Sequence, residues 1–432
     1  MSDTARRSSD AAGMSSSDAA RRSVITGIGV VAPTGIGVTE HWKRSLERLG
    51  RIAPITGFAT AQLPSPLAGQ VTGFEANAFV DSKLRVQTDK WTWMALAAGR
   101  LAFEDAALDP HGHDPFDLSV VTASASGGNA FGQREIHSLW KDGPAAVTAY
   151  QSIGWFYAAS SGQLSIRDQL KGACGVLVAD GAGGVDALAQ ARRLIARGTG
   201  AVLVGGTEAP LSPYAMACQA RRATLSHDPD PATAYRPFAP DSTGHVPGEG
   251  GALLVVEDAA WAERRGAPDP YAEVLGTAST HDAHHPTRPA PDHRQLARAV
   301  REAIDRSGLT PHDIDVVFAD AAGDRELDRL ERDALVELFG RRGVPVAVPK
   351  TATGRLCSGG AALDLAWAAL ALAHDTIPPS VNLKDRADGA LDLVTAPREA
   401  AGLRHALVVA RGEGGFNSAA VLGLPPSGRR AD

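Results

Sequence analysis

Residues 176–186 read VLVADGAGGVD, an apolar run that predicts a buried strand turning directly into a helix. Such an elbow suits a cysteine or serine nucleophile, because the helix N-terminus lowers a thiol's pKa and its free N–H groups can hold an oxyanion. The residue at the elbow is Gly181, which has no side chain. The layout of a nucleophile site is present and its reactive atom is not.

Other candidate groups are scattered. Cys174 and Cys357 lie in or beside glycine-bearing turns with no histidine close in sequence, so each reads as a small buried thiol. With Cys218 they are too few and too dispersed for a disulfide framework or a paired-cysteine metal site. His281, His284, His285 and His293 crowd into THDAHHPTRPAPDH, but their spacing is irregular and prolines break any helix. No metal is expected there, and the segment reads as a loop near the entrance to the core. Gly27 and Gly29 superficially match a dinucleotide fingerprint, yet Pro33 stands where the helix should begin and no suitable acidic residue ends a second strand. A tight structural turn is the better reading, and no cofactor is expected.

The elements that must position these groups alternate between strand and helix. Strands are expected over 24–28, 118–122, 176–179, 201–204 and 252–257, with helices over 40–49, 91–107, 132–140, 152–166 and 185–196. A second run follows, with strands over 272–276, 316–319, 346–347, 406–410 and 418–422 and helices over 293–307, 325–338 and 359–372. Short apolar strands between helices imply sheets covered on both faces. LSVVTASASGG is echoed by IDVVFADAAG, and AVLVGGTEA by ALVVARGEGG, which suggests two similar halves stacked together. Trp91, Trp93, Trp140, Trp155 and Phe156 fall on or beside these helices and read as core or interface filler.

Composition narrows the class. The chain has 432 residues, 44% of them hydrophobic, enough for one large or two intimately packed domains. A net charge of −6 gives no basic surface for nucleic acid. Residues 1–21 are polar and lack the apolar core of a secretory signal, so they read as a disordered tail. No apolar run approaches the roughly 18 residues that span a bilayer, so a soluble cytoplasmic protein is expected, without membrane partners.

Five spaced motifs together resemble the β-ketoacyl-ACP synthases of the thiolase fold: VITGIGVVAPTGIG (24–37), GGVDALAQARRLIARGTGAVLVGGTEAP (183–210), YRPFAPDSTGHVPGEGGALLVVED (235–258), PKTATGRLCSGGAALD (349–364) and ARGEGGFNSAAVL (410–422). The resemblance covers residues 22–424 and implies an α/β fold of two similar halves, 22–260 and 261–424, in a five-layered α-β-α-β-α architecture. Residues 425–432 would form a C-terminal tail. Active ketosynthases use a cysteine to carry the acyl chain and two histidines to decarboxylate the extender. Matched to this chain, the cysteine position is Gly181, the first histidine is Asp320 and the second is Arg355. The threonines that follow the first histidine become Ala322, Gly323 and Asp324, and the aromatic gate becomes Glu413. Of the core set Lys350 is retained, and it cannot replace a thiolate and two histidines. Asp320 and Arg355 stand where the histidines would converge, so a charge-assisted pair between them is expected to fill the pocket.

Within that family the motifs FADAAG and PKTATGRLCSGG, with SASGGNAFGQREIHSLW (124–140) and AYQSIGWFYAASSGQLSIR (149–167), are similar to chain length factors. These are the ketosynthase-like β subunits of type II aromatic polyketide synthases. The resemblance implies a heterodimer with a catalytic ketosynthase (α) subunit, an acyl carrier protein as partner of the complex, and a polyketide chain in a tunnel at the interface. Most chain length factors carry glutamine at the cysteine position, and Gly181 departs from that. The family's tunnel-lining positions map onto Asn129, Gly132 and Ile136, whose i, i+3, i+7 spacing puts them on one helical face. None is aromatic, so the tunnel is expected to be open there and the product long. The competing reading is an autonomous acyltransferase using Cys357 or Cys174 with a displaced histidine.

Overall fold

The computed structural model describes residues 21–383, 389–400 and 402–430. Apart from Arg21, the expected N-terminal tail lies outside the described residues, as do residues 431–432. Strand β1 (Ser23–Ala32) is buried throughout, and helix α1 (Lys90–Asp105) lies directly against its backbone. A Cβ at Gly27 would collide with the carbonyl oxygen of Ala102, and one at Gly29 with that of Ala98. These glycines therefore sit inside a strand rather than in the tight turn expected. The reversal comes after them, where Ala32 pairs with Gly35.

The first half continues with β2 (Leu118–Ala123), β3 (Cys174–Leu177), β4 (Ala201–Glu208) and β5 (Gly250–Asp258). In space the order is β1-β5-β4-β2-β3, with β5 antiparallel to both β1 and β4, and β4, β2 and β3 parallel. The second half comprises β6 (Ala272–His281), β7 (Val316–Phe318), β8 (Pro345–Ala347), β9 (His405–Gly412) and β10 (Phe416–Gly423). Its order, β6-β10-β9-β7-β8, repeats the same sequence of strand directions. The two sheets join through a short antiparallel pairing of β1 with β6, Val24 to Glu273 and Ile25 to Ala272.

Helices complete five layers. Helix α1 and α3 (Ala159–Asp168) cover the outer face of the first sheet. Helices α5 (Arg294–Arg306) and α6 (Arg325–Phe339) cover the outer face of the second. Between the sheets lie α4 (Gly183–Ala196) and α7 (Ser358–His374), packed on each other. From Ser358 to Ala373, α7 is buried at every position except Gly360, because it is enclosed on all sides. Its apolar faces join residues of both sheets in one central core. Among the described residues, no helix is long and apolar enough to cross a membrane.

Two local expectations are corrected. The strand at the elbow spans Cys174–Leu177 and, among the described residues, is an edge strand paired only with β2, so Cys174 is exposed rather than buried. The helix expected over 152–166 is broken into Gln151–Gly154 and α3, and the intervening Trp155 and Phe156 are about half exposed. Residues 425–430 dock back on the body, where Arg430 donates to the carbonyls of Thr26 (2.8 Å) and Asp105 (2.9 Å) and lies 4.2 Å above the Tyr271 ring.

The contact of α1 with β1 predicts an asymmetry between two glycine-to-alanine changes. Gly29→Ala should destabilise by roughly 1–3 kcal/mol or more through overpacking. Gly162→Ala on α3, where an added Cβ meets nothing within 4 Å, should be neutral or stabilising. Urea denaturation of the two variants measures the difference.

Candidate functional site

The elbow is built where the first sheet's edge, the central helices and β9 meet. A single 3-10 turn, Asp180–Ala182, links β3 to the N-terminus of α4, and Asp180 takes the left-handed conformation (φ 46°). Gly181 lies at its centre. A Cβ there would collide with the carbonyl oxygen of Arg411 and come within 3.3 Å of the Arg355 Nη2. The Ser358 hydroxyl donates to the Asp180 carbonyl at 2.8 Å, tying the start of α7 to the same turn.

Facing Gly181 is the expected ion pair. Arg355 Nη2 donates to Asp320 Oδ1 at 3.0 Å and Nη1 to Oδ2 at 3.2 Å, and Nη1 also reaches the Asp320 carbonyl oxygen at 2.6 Å. That carbonyl accepts a further bond from Lys350 Nζ at 3.1 Å, while Lys350 pairs with Asp364 at 2.6 Å. The Arg411 backbone N–H donates to Asp320 Oδ1 at 3.0 Å. On the far side, Glu331 of α6 accepts the N–H groups of Asp320 (2.7 Å) and Ala321 (2.8 Å). The Tyr235 hydroxyl donates to the Ala321 carbonyl at 2.6 Å.

The charges follow from burial and these partners. Burial acts to raise the Asp320 carboxyl, but Arg355, Lys350 and Arg411 outweigh it and hold the group below its ordinary value. Burial likewise opposes the charge on Arg355, which Asp320 more than restores. Glu331, buried beside the Asp320 charge, is pushed up to about 7. Burial raises Asp364 to about 6 against the pull of Lys350.

Two further groups line the same space. Burial, aided by Arg355, lowers His245 to about 3, so it is neutral. Burial also pushes the Cys357 thiol up, with the Glu208 and Asp180 carboxylates adding to the shift, the reverse of what a reactive thiolate needs.

Outside the ion pair is a cavity of about 130 Å³, lined by Gly181, His245, Cys357 and Glu413 among others. Behind it, between Gly181, Asp320, Arg355 and Asp364, about 20 Å³ remains, room for about one water. A second ion pair lines this cavity. Glu413 pairs with Arg222 at 2.8 Å, and its N–H donates to Asp180 Oδ2 at 2.8 Å. Sequence reasoning named Glu413 and missed Arg222, because these three residues come from three remote segments. The available signal was the acidic side chain itself, which needs a counterion at a half-buried mouth.

The histidine-rich segment reaches the cavity through Thr287, Arg288 and Pro289, as its placement near the core entrance implied. Its histidines are spent separately: His281 packs edge-on against Phe416, and His293 bonds Glu337 at 2.8 Å. Among the described residues, no group of three or more potential ligands could hold a metal ion.

Asn129, Gly132 and Ile136 all fall on helix α2 (Asn129–Asp142), away from this cavity. The Asn129 side chain donates to the Ser126 carbonyl at 3.0 Å, Gly132 is buried, and Ile136 is 44% exposed. Nor is the space above Gly132 open. A Cβ at that position would lie 2.9 Å from Cδ1 of Trp155, whose indole fills the expected gap.

The ion pair generates a stability prediction. Removing one partner leaves the other charge buried and unpaired, so Asp320→Ala should cost roughly 3–5 kcal/mol, with much of it recovered in Asp320→Ala/Arg355→Leu. Because the folded carboxyl is held low, its contribution is complete above an ordinary carboxylate pKa of about 4 and is lost as pH falls through the folded value. Denaturant unfolding of wild type and Asp320→Asn across acidic pH should therefore converge at low pH. A constant gap would contradict the assignment.

Comparisons with known proteins agree with this architecture. Residues 20–262 match the family model "Beta-ketoacyl synthase, N-terminal domain", and residues 271–384 match "Beta-ketoacyl synthase, C-terminal domain". The actinorhodin polyketide putative beta-ketoacyl synthase 2 of Streptomyces coelicolor is 46% identical over 403 residues, covering 92% of this chain and 98% of that one. The tetracenomycin polyketide synthase ketoacyl synthase beta subunit of Streptomyces glaucescens is 46% identical over 406 residues, covering 92% and 97%. Among solved structures, the ishigamide ketosynthase/chain length factor superposes with a TM-score of 0.87 at 27% identity, covering 93% of this chain and 99% of that one. The chain belongs to the beta-ketoacyl synthase family and, within it, to the ketosynthase beta subunits, or chain length factors, of type II polyketide synthases.

Proposed function

We propose that this chain is the non-catalytic member of a ketosynthase heterodimer and that it shapes the cavity setting poly-β-ketone length in aromatic polyketide synthesis. The observation that carries the reading is the closed elbow: Gly181 has no room even for a Cβ, and the Asp320–Arg355 pair occupies the space it faces. Condensation needs a thiolate and two groups able to bind and polarise the extender carboxylate and thioester carbonyl. Gly181 supplies no nucleophile. The Asp320 carboxylate is committed to Arg355 and Arg411, and a guanidinium cannot accept a proton.

Association with a catalytic ketosynthase is supported by the surface around α2. Ile136, Leu139, Trp140, Trp155, Phe156 and Val178 are exposed apolar side chains on or near α2 and the free edge of β3. Unpaired strand edges and large apolar surfaces are costly to leave in water and suit a protein interface. The carrier protein would then deliver extender units to the partner subunit's active site. On this reading the face of α2 with Asn129 and Ile136 borders the growing chain.

An autonomous acyltransferase has less support. Cys357 is partly buried beside two carboxylates that disfavour its thiolate, and Cys174 lies on the outer edge strand away from the cavity.

Co-expression with a ketosynthase and carrier protein tests the proposal. The expected result is co-purification, no stable acyl adduct on this chain by intact mass, and a shorter principal product from Ile136→Phe. A chain that never co-purifies, or that acquires the adduct itself, would overturn the reading. Gly181→Cys should remain unacylated and lose stability by roughly 1–3 kcal/mol, because its Cβ meets the Arg411 carbonyl.

A further inference from the structure

The chain-length helix α2 carries little bulk of its own at Asn129, Gly132 and Ile136, but the segment that follows lays an indole over it. A Cβ at Gly132 would stand 2.9 Å from Trp155 Cδ1, so the ring rests on the bare backbone of the helix. Glycines hold this arrangement on every side. The Gly128 N–H donates to the Trp155 carbonyl at 3.2 Å, and a Cβ at Gly127 would come within 2.7 Å of that same oxygen. A Cβ at Gly154 would press on the Phe131 ring at 2.8 Å. Larger residues at these positions would push Trp155 off the helix.

The outer face of the indole remains available. Trp155 is 46% exposed and stacks in parallel on Phe156, with ring centroids 6.5 Å apart and planes 4° apart. Among the described residues, no protein acceptor takes its Nε1–H. Ile136 lies one helical turn from Gly132, so the indole and Ile136 share one exposed apolar wall.

We propose that Trp155 is the specificity-determining residue for chain length in this subunit, its indole closing the cavity that α2 leaves open at Gly132. The assignment rests on the reading of α2 as a wall of the polyketide cavity. A poly-β-ketone presents flat, polarised carbonyl units at regular intervals. An indole meets that chemistry with an apolar face for the carbon chain and a free N–H for a ketone oxygen. The stop is rigid, since the ring is wedged against a helix backbone and braced by Phe156. Bulk at this point therefore comes from a residue outside α2, in the segment that follows it, which explains why three non-aromatic positions do not by themselves make an open gate.

The test is co-expression of Trp155→Ala and, in parallel, Trp155→Leu with the ketosynthase and carrier protein, with product masses read only from complexes that co-purify. The expected result is a shift of the principal product to a longer chain by one or more two-carbon units. Ile136→Phe serves as the reference for the underlying cavity reading. If Ile136→Phe shortens the product while both Trp155 variants leave it unchanged or shorter, the Trp155 assignment is overturned and the cavity reading stands. If no variant moves the product, the cavity reading falls and the assignment falls with it. Should the alanine variant fail to assemble, the leucine variant decides, because it keeps an apolar side chain on the Gly132 backbone.

Discussion

A buried ion pair is tolerated only when the groups around it satisfy its remaining donors and acceptors, and the centre of this molecule is arranged to do so for Asp320 and Arg355. Asp320 leaves the end of β7 and Arg355 precedes α7, so the pair joins a strand of the second sheet to a central helix. β9 contributes an N–H and α6 contributes Glu331 to the adjoining backbone. Lys350 links the Asp320 carbonyl to Asp364 of α7. Five segments thus converge on one charge pair facing the elbow at Gly181.

That arrangement also governs the elbow. With Arg355 turned toward Asp320 and the Arg411 carbonyl pressed against the turn, Gly181 is the residue that this backbone admits. The helix N-terminus of α4 persists, but its field acts on a backbone turn and no reactive side chain lies at its end. Glu413 and Arg222 line the remaining cavity with a second ion pair, which is partly exposed and correspondingly weaker.

The outer architecture is a repeat in which each sheet carries the same succession of strand directions around shared central helices. Close backbone contacts are made with glycine at Gly27 and Gly29, where α1 meets β1, and again at Gly132, where Trp155 meets α2. In both places a missing side chain marks occupied space. A glycine in a sequence does not distinguish room from contact, and that ambiguity underlies both the misplaced turn at Gly27–Gly29 and the expected opening at Gly132.

Much of this protein is legible in its residues alone. Alternating apolar runs specify the strands and helices, because burial on both sheet faces demands continuous hydrophobic stretches. The identity of Gly181 leaves no side chain at the elbow, and the opposite charges of Asp320 and Arg355 imply their pairing. Exposure of Cys174 was not legible, since an edge strand and a central strand share the same local pattern until the neighbours are counted. Arg222 was not legible as the partner of Glu413, which is far from it in the chain, nor Trp155 as the ring above Gly132, because the path of the chain between them is set by packing. Local sequence determines which groups and elements exist; the tertiary fold alone decides which surfaces they share, because packing is settled by distances between remote backbones.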